Sequence, residues 1–139
     1  MNRAVVGAGS NIDSNANVAA AGRLLASEHR LVKESPFVRT APIGFAGQPE
    51  FLNGAFLVDT DLDREGFERY LKEVESRLGR VRGENKFGPR TIDLDLVVWN
   101  GSIVDPDYET REFLRESVRA VLPELTAGSY GAEREPSRE

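Results

Sequence analysis

"GPRTIDLDLVVWNG", Gly88 to Gly101, is the stretch on which the fold turns. A run rich in branched and aromatic residues, bounded by Gly-Pro and Asn-Gly, reads as a β-strand. Side chains alternate along a strand, so Asp93 and Asp95 point the same way, about 6.5–7 Å apart at Cα. Ile92, Leu94, Leu96 and Val98 point the other way, and Val97 and Trp99 are expected to share the face of the acids. Two like charges that close raise each other's pKa unless something cationic sits between them. Water, an arginine or a metal would serve.

Working upstream, "GRVRGENKFGPR" (Gly79 to Arg90) sets Arg80, Arg82, Lys86 and Arg90 against the single Glu84, a cationic loop on a chain whose net charge is −5. Before it, "DREGFERYLKEVESRLG" is a helix, with Phe67, Tyr70, Leu71, Val74 and Leu78 as its apolar stripe and Gly79 as its stop. Glu75 on that helix could add a further acceptor to the aspartate pair. "LNGAFLVDT" reads as a strand. "RLVKESPFVRT" reads as another, confined by Pro36 to an edge or a break. "AVVGAGS" opens the chain as a short apolar strand. "DSNANVAAAGRLLASEH" follows as a helix capped by Asp13 or Ser14, with Val18, Ala21, Leu24 and Leu25 on one side. A last helix, roughly Tyr108 to Leu122, should bury Phe113, Leu114, Val118 and Val121. The order is β-α-β-β-α-β-α. Its first six elements are those of a ferredoxin-like split βαβ unit, so the fold class is α+β: a mostly antiparallel sheet flanked by helices.

At 139 residues, 40% hydrophobic and 29% charged, the chain is expected to form one domain over residues 1–126, with 127–139 as a disordered, charge-rich tail. There are no cysteines, so disulfides and thiolate metal sites are excluded. No apolar run approaches the roughly 18 residues that span a bilayer, and a cytoplasmic protein is the default. The acidic balance argues against nucleic-acid binding. An RNA-binding sheet would also need exposed aromatics. Oligomeric state is open, with a monomer favoured.

Several motifs have plain readings. "GAGSNI" lacks the third glycine of a dinucleotide fingerprint, which would fall on Ile12, and reads as a tight strand-to-helix turn. No GxxxxGK[ST] loop is present. His29, the single histidine, reads as a solvated helix-end residue. The aspartates taken alone could be a solvated strand face, and the arginines a surface salt-bridge cluster. Against this, paired carboxylates followed by phosphate-neutralising cations suit Mg2+, which binds through one or two carboxylates plus substrate phosphates. In "PEFLN", Phe51 and Asn53 share a face, and the Asn53 amide could read a heterocycle edge.

Five blocks together resemble one family: "GSN" (Gly9–Asn11), "RTAPIG" (Arg39–Gly44), "QPEFLN" (Gln48–Asn53), Glu75 with "GRVR" (Gly79–Arg82), and "FGPRTIDLDL" (Phe87–Leu96). The family is the 6-hydroxymethyl-7,8-dihydropterin pyrophosphokinases of folate biosynthesis. The resemblance implies a transferase that moves pyrophosphate from ATP to the pterin hydroxymethyl, releasing AMP. It implies two Mg2+ ions held by Asp93 and Asp95, with Arg80 and Arg90 as catalytic arginines beside those acids. It implies a nucleotide site of Glu75, Arg82, Phe87, Arg90 and Arg111, and a pterin pocket of Thr40, Pro42, Ile43, Phe51, Asn53 and Phe113. Phe51 and Phe113 would sandwich the pterin. Departures are Ala41 for a common proline, and Phe51 and Phe87 for the more usual tyrosine and tryptophan. The segment "GSIVDPDYETREFL" is shorter than the family's and carries no histidine to match its nucleotide-contacting one. An alternative is therefore a non-catalytic pterin- or nucleotide-binding homologue.

Overall fold

A computed structural model describes residues 1–41, 49–79 and 91–125. In chain order the elements are β1 (Asn2–Ser10), α1 (Ser14–Glu28), β2 (Arg30–Glu34), β3 (Val38–Thr40) and β4 (Phe51–Thr60). They continue with α2 (Arg64–Arg77), β5 (Asp93–Trp99), β6 (Ser102–Ile103), α3 (Asp107–Thr110) and α4 (Glu112–Val121). The sheet runs β2-β4-β1-β5-β6, with β3 also paired to β4, and its described pairings are antiparallel. β1, α1, β2, β4, α2 and β5 are the six elements of the split βαβ unit, in the order that unit requires. The α+β, ferredoxin-like expectation is met.

Local chemistry explains the breaks. Pro36 cannot donate a ladder hydrogen bond, and the segment expected as one edge strand divides there into β2 and β3, both on β4. The Asp63 carboxylate accepts the Gly66 N–H at 2.7 Å and starts α2, while Gly79 at φ 93° stops it. The last helix is two. Arg111 is extended (φ −121°, ψ 105°) and separates the single turn of α3 from α4, so the helix expected over Tyr108 to Leu122 is interrupted.

The two faces of the sheet bury separate cores. On one, α1 (Val18, Ala21, Leu25) and α2 (Phe67, Leu71, Val74) cover Val6, Ala8, Phe56, Val58, Leu94 and Leu96. On the other, α4 (Leu114, Val118, Val121) covers Val5, Ala55, Leu57, Val97 and Val98. Phe113 is only half-buried there. The layers are helix, sheet, helix. Among the described residues no helix is long and apolar enough to cross a membrane.

Two expectations change. Val98 and Trp99 exchange the faces expected of them: Val98 lies with Val97 under α4, on the side of the acids, and Trp99 packs on the α1/α2 side against Phe67, ring centroids 6.1 Å apart. The cause is a bulge. Val5 faces Val98 and the next residue, Val6, faces Leu96, so Val97 is extra and the alternation reverses after it. Nor is His29 a solvated helix end. It is partly buried against Tyr70 and Phe67, at 4.3 and 5.7 Å between ring centroids, and burial lowers its pKa. The expected tail lies outside the described residues.

Candidate active site

Register brings the expected residues to one face. Across β4, β1 and β5, Asn53, Gly9 and Asp93 are directly opposite one another, and Ala55, Gly7 and Asp95 form the next row. On the outer side, Val38 faces Asn53 and Thr40 faces Phe51. Thr40, Phe51, Asn53, Asp93 and Asp95 therefore stand on the same side of the sheet, the side that α4 covers lower down. With strands spaced about 4.8 Å apart, Asn53 and Asp93 are about 10 Å apart at Cα. Between them lies Gly9, with no side chain.

That glycine is required by close packing. A Cβ at Gly9 would come within 2.5 Å of Asn53 Oδ1, and it would lie 3.8 Å from the Phe51 ring. The Asn53 amide donates to Thr40 Oγ1, which fixes its orientation between β1 and β3. At Gly7 a Cβ would meet Val97 and Leu114 at 3.2 and 3.3 Å. The result is a stretch of β1 onto which Asn53 packs at Gly9 and Val97 and Leu114 pack at Gly7, with the two carboxylates on the neighbouring strand.

The turn after β1 ties this stretch to both neighbours. Ser10 Oγ donates to the Thr91 carbonyl, two residues before Asp93. Asn11 Nδ2 donates to the Pro49 carbonyl at 3.2 Å, anchoring the approach to Phe51. "GSN" is thus a brace rather than a dinucleotide loop.

The outer edge of β5 is held by α2. Glu75, fully buried, accepts the Leu94 N–H at 2.6 Å, and Lys72 Nζ donates to the Leu94 carbonyl at 2.9 Å. The same ammonium is 3.1 Å from Glu75 Oε2 and 3.4 Å from Asp95 Oδ1. Glu75 is turned into the interior and bonded to the strand's backbone. Its described role is to position the strand that carries the acids.

Asp95 lies on the wall of a cavity of about 610 Å³ lined by Arg69, Leu71, Lys72, Leu94, Leu96, Val104, Asp105 and Pro106, together with Glu65 and Glu68. Half of its side chain is exposed (50%). Desolvation first, then the Asp93 charge, raises the Asp95 pKa from 3.8 to about 7, against the opposing pull of Lys72. Burial likewise raises Asp105. Two carboxylates on one strand face, one already attracting an ammonium, form a donor set suited to a hard divalent cation. Among the described residues no third His, Cys, Asp or Glu joins them in a cluster. Such a pair leaves coordination sites for substrate phosphates.

Arg111 marks the break between α3 and α4, with its Nη2 3.8 Å from Asp107 Oδ2. Phe113 sits in the first turn of α4 beside Leu114. Pro42, Ile43, Arg80, Arg82, Phe87 and Arg90 lie outside the described residues. The residues that sequence reasoning missed are Gly7 and Gly9 as a floor, Ser10 and Asn11 as braces, and Lys72. The glycines left a signal: on a strand, positions two apart share a face.

Residues 5–123 match the 7,8-dihydro-6-hydroxymethylpterin-pyrophosphokinase family. The chain belongs to this family. Several relatives carry the name 2-amino-4-hydroxy-6-hydroxymethyldihydropteridine pyrophosphokinase. That of Methylorubrum extorquens is 38% identical over 128 residues, 88% of this chain and 80% of its own length. That of Bacillus subtilis is 32% identical over 131 residues, 89% and 78%. That of Pseudomonas aeruginosa is 35% identical over 106 residues, 70% and 65%. Family membership makes the chain a diphosphokinase, a transferase.

Proposed function

We propose that the chain transfers the β,γ-diphosphate of ATP to the hydroxymethyl group of 6-hydroxymethyl-7,8-dihydropterin, in folate biosynthesis, with Mg2+ at Asp93 and Asp95. The observation that carries this reading is the row Asn53–Gly9–Asp93, which sets an oriented amide and a carboxylate pair on either side of a glycine. The absence of a Cβ at Gly9 lets the Asn53 amide lie close over β1, in the orientation this reading requires.

Each side chain has a task in this reading. Asn53, its orientation fixed by Thr40, pairs donor and acceptor with the pterin edge, and Phe51 and Phe113 cover the ring faces. Pro42 and Ile43 complete the pocket. The hydroxymethyl group then points along the row toward β5. Its oxygen attacks the β-phosphorus, the bond from that phosphorus to the bridging oxygen of the α-phosphate breaks, AMP leaves, and the hydroxyl proton is lost as the new ester forms. Asp93 and Asp95 would hold two Mg2+ ions, which when bound neutralise the phosphates and polarise the attacked group. Arg80 and Arg90 stabilise the charge that builds on the transferred group. Adenosine takes the cavity beside Asp95, whose size suits a ligand of that class. Arg82, Phe87 and Arg111 are the further nucleotide-binding residues of this reading, and Glu75 serves it indirectly by holding β5.

The test is AMP formation from ATP and the hydroxymethyl pterin. Turnover that is lost in Asp95→Ala, with the melting temperature retained, is the expected result. No AMP at saturating ATP and Mg2+, with pterin bound but not more tightly when Mg-ATP is present, would replace the enzyme by a binding module.

A further inference from the structure

β5 is paired with β1 along one side, but on the other, among the described residues, only Val98 and Trp99 pair with β6. The backbone around Leu94, between the two acids, has side chains of α2 as its described outer partners, and Lys72 is central to them. An ammonium has three donors. Here three acceptors surround it: the Leu94 carbonyl at 2.9 Å, Glu75 Oε2 at 3.1 Å and Asp95 Oδ1 at 3.4 Å. An ordinary surface lysine leaves its head in water. This one is 44% exposed, yet its head is gathered onto the strand, at the wall of the cavity.

We propose that Lys72 is a resident cation. It occupies the Asp95 carboxylate and clamps the edge of β5 until a divalent ion takes that carboxylate, and it thereby sets the affinity of the site for metal. The proposal rests on the reading that Asp93 and Asp95 hold a divalent cation. The contacts differ in kind. The bonds to Leu94 and Glu75 are shorter and structural, whereas the pairing with Asp95 is the longest and opens onto solvent, so it is the one an incoming ion displaces. Lys72 can swing from Asp95 while still holding Leu94, which keeps the strand in place during the exchange. Lys72 is a positioning residue rather than a catalytic one.

Binding of Mn2+ alone, followed by electron paramagnetic resonance without nucleotide, tests this. Lys72→Gln keeps an amide donor for the Leu94 carbonyl and removes the charge; Lys72→Met removes both. At low ionic strength both should bind Mn2+ about five- to tenfold more tightly than the wild type, and the gain should shrink as salt is added. Arg69→Gln removes a charge from the wall of the same cavity, and should change affinity less than twofold. Lys72→Gln should melt near the wild type, so it carries the test if Lys72→Met unfolds. Unchanged or weaker Mn2+ binding in Lys72→Gln would overturn the proposal, as would an equal gain in Arg69→Gln. If the wild type binds Mn2+, Asp95→Asn abolishes it and Lys72→Gln leaves it unaltered, only this inference fails. If neither wild type nor Lys72→Gln binds Mn2+, the metal reading of the aspartates fails with it.

Discussion

Replacing Glu75 by alanine should weaken the whole chain, through one backbone group. Glu75 has no solvent exposure, and its Oε2 accepts the Leu94 N–H at 2.6 Å and the Lys72 ammonium at 3.1 Å. Alanine leaves the Leu94 N–H buried without that acceptor, which costs about 1–3 kcal/mol. Removing one partner of a buried ion pair costs about 3–5 kcal/mol, but Lys72 is 44% exposed and can rehydrate, so the lower end applies. A loss of about 3 kcal/mol follows, or about 10 °C in melting temperature for a domain of this size. Glu75→Gln keeps an oxygen facing Leu94 and exchanges a charge-assisted bond for a neutral one, at about 1 kcal/mol. Urea unfolding of the three proteins gives the energies, and amide exchange at Leu94 gives the location. If Glu75→Ala stayed within about 0.5 kcal/mol of the wild type, or if Glu75→Gln cost as much as alanine, α2 would not be what holds β5.

Gly9→Ala should spare the fold, since alanine is tolerated in a strand, but its Cβ within 2.5 Å of Asn53 Oδ1 must turn the amide away from Thr40. Pterin affinity, read by fluorescence quenching, should fall by about 1–3 kcal/mol, the cost of one or two lost hydrogen bonds; unchanged affinity would refute the floor. A second expectation concerns pH. Asp95 titrates at about 7 in the folded chain against an ordinary 3.8, so the folded state binds more protons between those values. The stability this contributes is present in full below pH 3.8 and is lost as pH rises through about 7. Metal affinity runs oppositely, because the ion needs the carboxylate: Mn2+ binding should strengthen up to about pH 7 and level off above it. Asp95→Asn should flatten the slope of stability with pH between 4 and 7, and a slope that survives the substitution would place the titrating group elsewhere.

The order of the elements was legible because each carries its own period: 3.6 in the Phe67–Leu78 stripe, two in the Asp93–Leu96 stretch of the strand. Pro36 gave the division of the edge strand by its missing donor. The acids and the Asn53 amide were legible as chemistry, and the family blocks fixed their roles as expectations. What alternation could not supply was the fate of Trp99, because a bulge is a long-range pairing event with no local signature in "LVVW". The break at Arg111 was hidden for a similar reason: the apolar spacing of Leu114, Val118 and Val121 belongs to α4, and nothing upstream of it opposes a helix. His29 was misread because its burial comes from Phe67 and Tyr70, far along the chain. Lys72 escaped notice since a lysine on a helix carries no mark of which strand edge it will reach.

The extra residue at Val97 separates two demands that one strand would otherwise have to meet together. Ahead of it, the facing of Asp93 and Asp95 answers to the proposed metal site; behind it, the facing of Trp99 answers to the hydrophobic anchor on Phe67. Deleting Val97 would couple them again, so that one strand end could be kept in phase only at the expense of the other. The irregularity thus acts as a coupling of adjustable phase, letting the chemistry and the scaffold drift apart in evolution without a shared veto.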